Sequence, residues 1–161
     1  MKINRYLFKN KDYVIEDDID FSNVQLDPTH IRKINNTHVK ISGIDYEDYL
    51  ILDFEIKTEV IGVCSYTLDD VPLKLNFKST LSFTYDKEDE ENIIIDGPIF
   101  DVDEYVLSLI ISEVPLKLVK KGAKLPSSGV GYRVMSEDEY NKEAETKKDN
   151  RWNKLDELDL D

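Results

Sequence analysis

The chain has 161 residues, 21 Lys plus Arg against 34 Asp plus Glu, a formal net charge of −13 and 40% hydrophobic residues. That is enough for about one domain with one modest core. The single Cys excludes an internal disulfide and any multi-Cys zinc site, and no apolar run approaches the roughly 20 residues that a membrane helix requires. The acidity also argues against a surface built to grip phosphate backbone at large, which is normally basic.

The opening, MKINRYLFKNKDY, has no apolar h-region, so no signal peptide is expected and a soluble, cytoplasmic protein is. Tyr13–Ile15 is a weak strand candidate. Asn35-Asn36-Thr37 is a glycosylation sequon by letters only, without meaning in a chain that is not secreted. From His38 to Ile44, Val39 and Ile41 alternate with His38, Lys40 and Ser42, which predicts a strand turning between Gly43 and Asp48. The longest alternations follow. Leu50, Leu52, Phe54, Ile56, Thr58 and Val60 oppose Ile51, Asp53, Glu55, Lys57, Glu59 and Ile61. Val71, Leu73, Leu75, Phe77, Ser79, Leu81, Phe83 and Tyr85 oppose a mostly polar row. A period of two held this long means strands with one buried face, because charges would interrupt every face of a helix. Cys64 to Asp70 between them is too short for a crossover helix and predicts a tight connection, and consecutive strands with short connections favour an antiparallel sheet, with the strand order left open.

Asp86 to Glu91 is an acidic run that reads as a solvated loop, without the alternating oxygen ligands and fixed Gly of a calcium loop. Ile93–Ile95 is another weak strand. Asp101, with Glu104 three residues on, predicts a capped helix start. Val102, Tyr105, Val106, Leu109, Ile110 and Glu113 mark one helix face, Leu107 and Ile111 widen its apolar surface, and Pro115 ends it. The fold class is therefore α+β: a mainly antiparallel sheet with one long buried helix packed on it and a polar C-terminal tail. Residues 1–135 form the single domain and residues 136–161 an acidic, partly helical or disordered tail.

Catalytic sets are missing from recognisable spacing. Cys64 has no nearby cation or base in sequence and reads first as a small buried residue. His30 and His38 are the only histidines, spaced like no common metal pattern, and His38 falls on the polar side of its strand. Gly129 and Gly131 make a GxG with no Lys-Ser or Lys-Thr after it, so Pro126 to Gly131 is a turn and not a phosphate loop. No enzyme activity, cofactor or metal is expected. One basic cluster stands out, Lys117, Lys120, Lys121 and Lys124 with Arg133 beyond, which can form a local positive patch within a negative total. Ser136 with Glu139 predicts a second capped helix that has almost no apolar face. At the end, Trp152, Leu155 and Leu158 make one small amphipathic patch suited to docking a protein partner.

In order, these segments resemble the bacterial YceD family, described as large ribosomal RNA subunit accumulation proteins. Val63 to Val71 is similar to the family's Cys-x-Arg-Cys-Leu segment: Cys64 and Leu68 are kept, while Tyr66 and Thr67 stand where Arg and Cys are typical. Ile99 to Pro115 resembles its Asp-Leu helix ending at a Pro. Tyr132 to Tyr140 resembles its acidic stretch after a glycine turn. Asp149 to Leu158 resembles its terminal Asp-Pro-Arg-x-x-x-Leu-x-x-Leu motif, with Arg151 kept and Asn150 in place of Pro. The resemblance implies a non-enzymatic role in synthesis, processing or stability of 23S ribosomal RNA. The expected partner is ribosomal RNA, touched by Lys117, Lys120, Lys121, Lys124 and Arg133, or a basic ribosomal or assembly protein; no membrane and no DNA are expected. The alternative is an acidic adapter that binds a basic protein and ignores isolated RNA, and an enzyme using Cys64 or a carboxylate pair is the third reading.

Overall fold

The computed structural model describes residues 1–9, 13–46 and 48–146. They fall in two compact units, Met1–Lys120 and the residues from Lys121 onward. The first unit carries eight strands and a helix. These are β1 (Lys2–Asn4), β2 (Val14–Ile19), β3 (Ile31–Ile34), β4 (Thr37–Tyr46), β5 (Tyr49–Val63), β6 (Asp70–Thr84), β7 (Ile93–Ile94), β8 (Ile99–Asp101) and α1 (Asp103–Glu113). The second carries α2 (Glu137–Thr146). The class is α+β.

β5 is the central strand. β4 runs antiparallel to it along one edge and β6 along the other, and β3 continues the first edge beyond β4, pairing Ile31, Lys33 and Ile34 with Gly62, Ile61 and Val60. β2 extends the sheet beyond β4, and the short β7 runs parallel to the end of β6. β1 and β8 form a separate two-stranded ladder that leads into α1. The period-two reading of β5 holds residue by residue. Leu50, Leu52, Phe54, Ile56 and Val60 are fully buried, and Thr58, the polar member of the row, shares a buried 2.9 Å hydroxyl hydrogen bond with Thr37. Val106 and Ile110 of α1, and Val102 just before it, join the same core, with Val39 and Ile41 of β4, Phe83 of β6 and Phe8.

One local expectation is sharpened and two change. The strand predicted from His38 turns at the far end of the Gly43–Asp48 stretch: β4 continues to Tyr46, which pairs with Tyr49, and Gly43 pairs with Leu52 inside the strand. Glycine is needed there because a Cβ would land on the Ile51 carbonyl and the Leu52 side chain. Helix α1 starts one residue later than an Asp101 cap implies, with Val102 as the flanking residue and no side-chain cap at that position. Asp101 still accepts the Asp103 N–H at 3.0 Å, so it satisfies one of the orphan donors from outside the helix. The helix is also less enclosed than its composition suggests: Val106 and Ile110 are buried, but Ile111 is 41% exposed. In the second unit the Ser136–Glu139 capping box forms as read, with Ser136 N–H donating to the Glu139 carboxylate at 2.8 Å and Glu139 N–H donating to Ser136 Oγ at 3.2 Å.

Two polar devices tie the outer elements on. Arg5, buried, pairs through two nitrogens with the Asp45 carboxylate of β4, and its guanidinium lies 4.7 Å from the Tyr85 ring centroid. This pins the 3-10 turn Arg5–Lys9 to the sheet. His38 on β4 reaches two carboxylates of β2, Asp18 through Nδ1 at 2.8 Å and Glu16 through Nε2 at 2.9 Å. Asp18 first, and Glu16 second, hold its pKa above the ordinary 6.5.

Phe54→Ala removes the largest side chain of the central row and is expected to cost about 3–5 kcal/mol in urea unfolding, while Lys74→Ala on the exposed face of β6 stays within about 0.5 kcal/mol. The His38 clasp is expected to act only while the imidazole is charged. Its raised pKa gives stability that is complete below the unfolded value and disappears as pH rises through the folded value. Thermal unfolding at about pH 5.5 should separate wild type from His38→Gln, and the separation should vanish by about pH 8.5.

Candidate functional site

The C-terminal end of β5 hands the chain directly to Cys64. Val63 and Cys64 are buried, and the next residues close a turn in which Cys64 N–H donates to the Asp69 carbonyl at 2.8 Å and Leu68 N–H to the Cys64 carbonyl at 2.9 Å. Closing the turn puts Leu68 at φ +60°, the one left-handed non-glycine among the described residues, and leaves its side chain 68% exposed. A branched residue in this region is strained by about 1–3 kcal/mol. Arg32 of β3 braces it: its Nη2 donates to the Leu68 carbonyl at 2.7 Å and its Nε meets the Asp70 carboxylate at 3.1 Å.

The segment after Pro115 closes over this turn like a strap. Pro115 follows Val114, the last buried residue behind α1, and sends the chain away from the helix. Ser65 N–H donates to the Leu118 carbonyl at 2.7 Å, Lys120 N–H donates to Cys64 Sγ at 3.4 Å, and Lys120 Nζ donates to the Asp69 carboxylate at 3.1 Å. Gly62 leaves the room that Leu118 occupies, since a Cβ there would meet the Leu118 side chain. Lys117 Nζ lies 6.0 Å from the centroid of the Tyr66 ring, at the outer limit of a cation–π contact.

Cys64 is the hinge of this arrangement. The Lys120 N–H chiefly, then the Thr67 hydroxyl and the Tyr66 and Thr67 N–H groups, hold its thiol down at about 7, against burial that pushes the other way. Asp69 is held below the ordinary carboxylate range by Lys120 and Thr67. Cys64 is fully buried, and the Lys120 donor ties the turn to the strap. The result is a face on which Arg32 and Lys120, paired with Asp70 and Asp69, and Lys117 beside Tyr66 surround the exposed Leu68.

The predicted basic cluster has members in both units. Lys117 and Lys120 belong to the first unit and sit against the Cys64 turn. Lys121, Lys124 and Arg133 belong to the second unit, where all three are exposed and Arg133 pairs with Glu143 at 2.6 Å. Arg151, Trp152, Leu155 and Leu158 lie outside the described residues. Arg32 was not singled out by sequence. It reads as an ordinary polar residue of a short strand, and only the pairing of β3 with the far end of β5 brings it to the turn. Elsewhere, the acidic loop stitches itself together, Asp86 accepting the Glu88 N–H at 3.0 Å and Asp89 those of Glu91 and Asn92 at 2.8 and 3.0 Å. Among the described residues no three His, Cys, Asp or Glu side chains converge as a metal site, and no helix is long and apolar enough to cross a membrane.

Comparison with known proteins places the turn and strap in a wider pattern. The chain is 29% identical over 118 residues to a Bacillus subtilis (strain 168) protein named "Uncharacterized protein YlbN", a match covering 68% of each chain. No solved structure matches it. The sequence model of a family described as "Large ribosomal RNA subunit accumulation protein YceD" matches residues 52–159. That span takes in most of β5, the Cys64 turn, β6, α1, the strap and the C-terminal segment. It is well over half of the sequence, and the chain belongs to the YceD family.

Proposed function

We propose that the protein is a non-enzymatic, cytoplasmic factor that supports accumulation of 23S ribosomal RNA during large-subunit assembly, and that it meets its ribosomal target through the face built by the Cys64 turn and the strap. One observation carries the reading. Two stretches inside the region that matches the family, the Cys64 turn and the strap, bring Lys117 and Lys120 together and meet Arg32 of β3 from outside that region, with Asp69 and Asp70 between the cations, although the whole chain carries −13. Screening over roughly 8–10 Å at physiological ionic strength lets such a patch act locally while the acidic remainder repels phosphate backbone elsewhere. That combination suits one defined contact and opposes non-specific coating of RNA. The non-enzymatic part rests on Cys64, the one candidate nucleophile of the motif, which is fully buried with its thiol engaged by the Lys120 amide.

A second reading, an acidic adapter that binds a basic ribosomal or assembly protein, is favoured by the carboxylate excess and by a cleft of about 400 Å³ lined by Asp48, Tyr49, Thr84, Tyr85, Asp86 and Asp89. The two readings separate on one experiment. Tagged full-length protein is used to capture large-subunit material from cell extract, before and after RNase, beside a variant carrying Arg32→Gln, Lys117→Gln and Lys120→Gln. Circular dichroism confirms that the variant is folded. The expected result is RNase-sensitive capture that falls about tenfold or more in the variant and weakens steeply with salt. Capture unchanged in the variant contradicts the assignment of this face, and RNase-resistant capture of one basic protein transfers the role to the acidic surface.

A further inference from the structure

β6 is a long edge strand. β5 pairs with it from Asp70 to Thr84, but on its other side β7 pairs only with Phe83 and Thr84. Among the described residues, the outer edge from Val71 to Ser82 thus presents backbone N–H and C=O groups with no strand beside them. The core also stops short there. The inward row of β5 is fully buried at Leu50, Leu52, Phe54 and Ile56, whereas Val71, Leu73, Leu75, Phe77 and Leu81 of β6 are only partly covered. A long, straight edge with a half-covered apolar row is a template for another strand.

The sequence of this edge says which strand fits. Its outward row, Asp70, Pro72, Lys74, Asn76, Lys78, Thr80 and Ser82, carries two lysines and one carboxylate. Both lysines have acidic neighbours on β5, Lys78 paired with Glu55 and Lys74 in register with Glu59. The edge is therefore close to neutral in a chain of −13, and like-charge repulsion between two copies is weakest along it. Pro72, which lacks a donor, sits near one end, as edge strands allow. A second copy laid antiparallel must pair odd residues with odd residues, because a one-residue slip would set apolar rows against polar ones. A twofold axis at Lys74, Asn76 or Lys78 puts two lysines directly opposite one another, which is unfavourable. An axis at Leu75 or Phe77 does not. With the axis at Leu75, Leu73 meets the partner's Phe77 and Lys74 meets the partner's Asn76. With the axis at Phe77, the two Phe77 rings meet and Asn76 meets the partner's Lys78.

We propose that two copies of this chain join antiparallel through their β6 edges, with a twofold axis at Leu75 or Phe77, making one continuous sheet and closing the apolar row. The contact is isologous, so each substitution acts twice. Asn76 faces a partner lysine in either register, and that gives the test. The full-length protein is diluted through the micromolar range and its mass followed by sedimentation velocity, beside Asn76→Asp and Asn76→Lys. Both changes are on the exposed face, and thermal melts confirm that each variant is folded. The expected result is a dimer that dissociates on dilution, about fivefold tighter in Asn76→Asp and about fivefold weaker in Asn76→Lys, as two exposed charge pairs changing together would give. A monomer at every concentration, or a dimer that responds to neither substitution, overturns the proposal.

Discussion

The alternation of β5 is the constraint on which the first unit depends. The strand runs for 15 residues with every second side chain committed to the core. A slip of one residue against either neighbour would turn Leu50, Leu52, Phe54, Ile56 and Val60 outward and bring Asp53, Glu55, Lys57 and Glu59 inward. Nothing elsewhere could offset that many unpaired buried charges. The register of β4, β3 and β6 is thereby fixed together. With it are fixed the position of Gly43 against Ile51, the meeting of Thr37 with Thr58, and the approach of His38 to the carboxylates of β2.

The same strand sets the functional face. A fixed β5 ends at a fixed Cys64, and the turn that follows is held between two neighbours that arrive independently: Arg32, carried by β3, and the strap, released from α1 by Pro115. The buried thiol accepting the Lys120 amide is a small interaction energetically, worth no more than an ordinary hydrogen bond of about 1 kcal/mol. Its consequence is positional, since it lets two lysines and an arginine stand beside one another on an acidic protein. The Leu68 backbone strain fits this picture: a costly conformation is kept where the surrounding contacts over-determine it.

Much of this was legible in the sequence, and the parts that were not have physical reasons. Rows of alternating residues disclosed β4, β5 and β6 because one buried face imposes a period that charges make visible. The helix and its Pro115 stop, and the Ser136–Glu139 box, were readable because each is a local signal. The turn after β4 was legible only as a stretch from Gly43 to Asp48, because glycine marks a close approach inside a strand as well as a turn, and letters do not separate the two. Asp101 misled by one position, since a carboxylate can serve the first helical amides from just outside the helix. Of the candidate site, Cys64, Leu68, Lys117 and Lys120 were found, but their reason for being together was not. Lys120 reaches Cys64 across 56 positions and Arg32 reaches Leu68 across 36, and contacts at that separation are set by sheet order, which alternation leaves open. The lysine run is continuous in sequence and crosses from the first unit into the second after Lys120.

The family description concerns accumulation of large-subunit RNA, and the proposed function assigns the turn and strap to that role. The most direct measurement is the ratio of 23S to 16S ribosomal RNA in cells as the protein is depleted. The account predicts that 23S falls relative to 16S and returns when the protein is restored. A ratio that stays constant through complete depletion would contradict it.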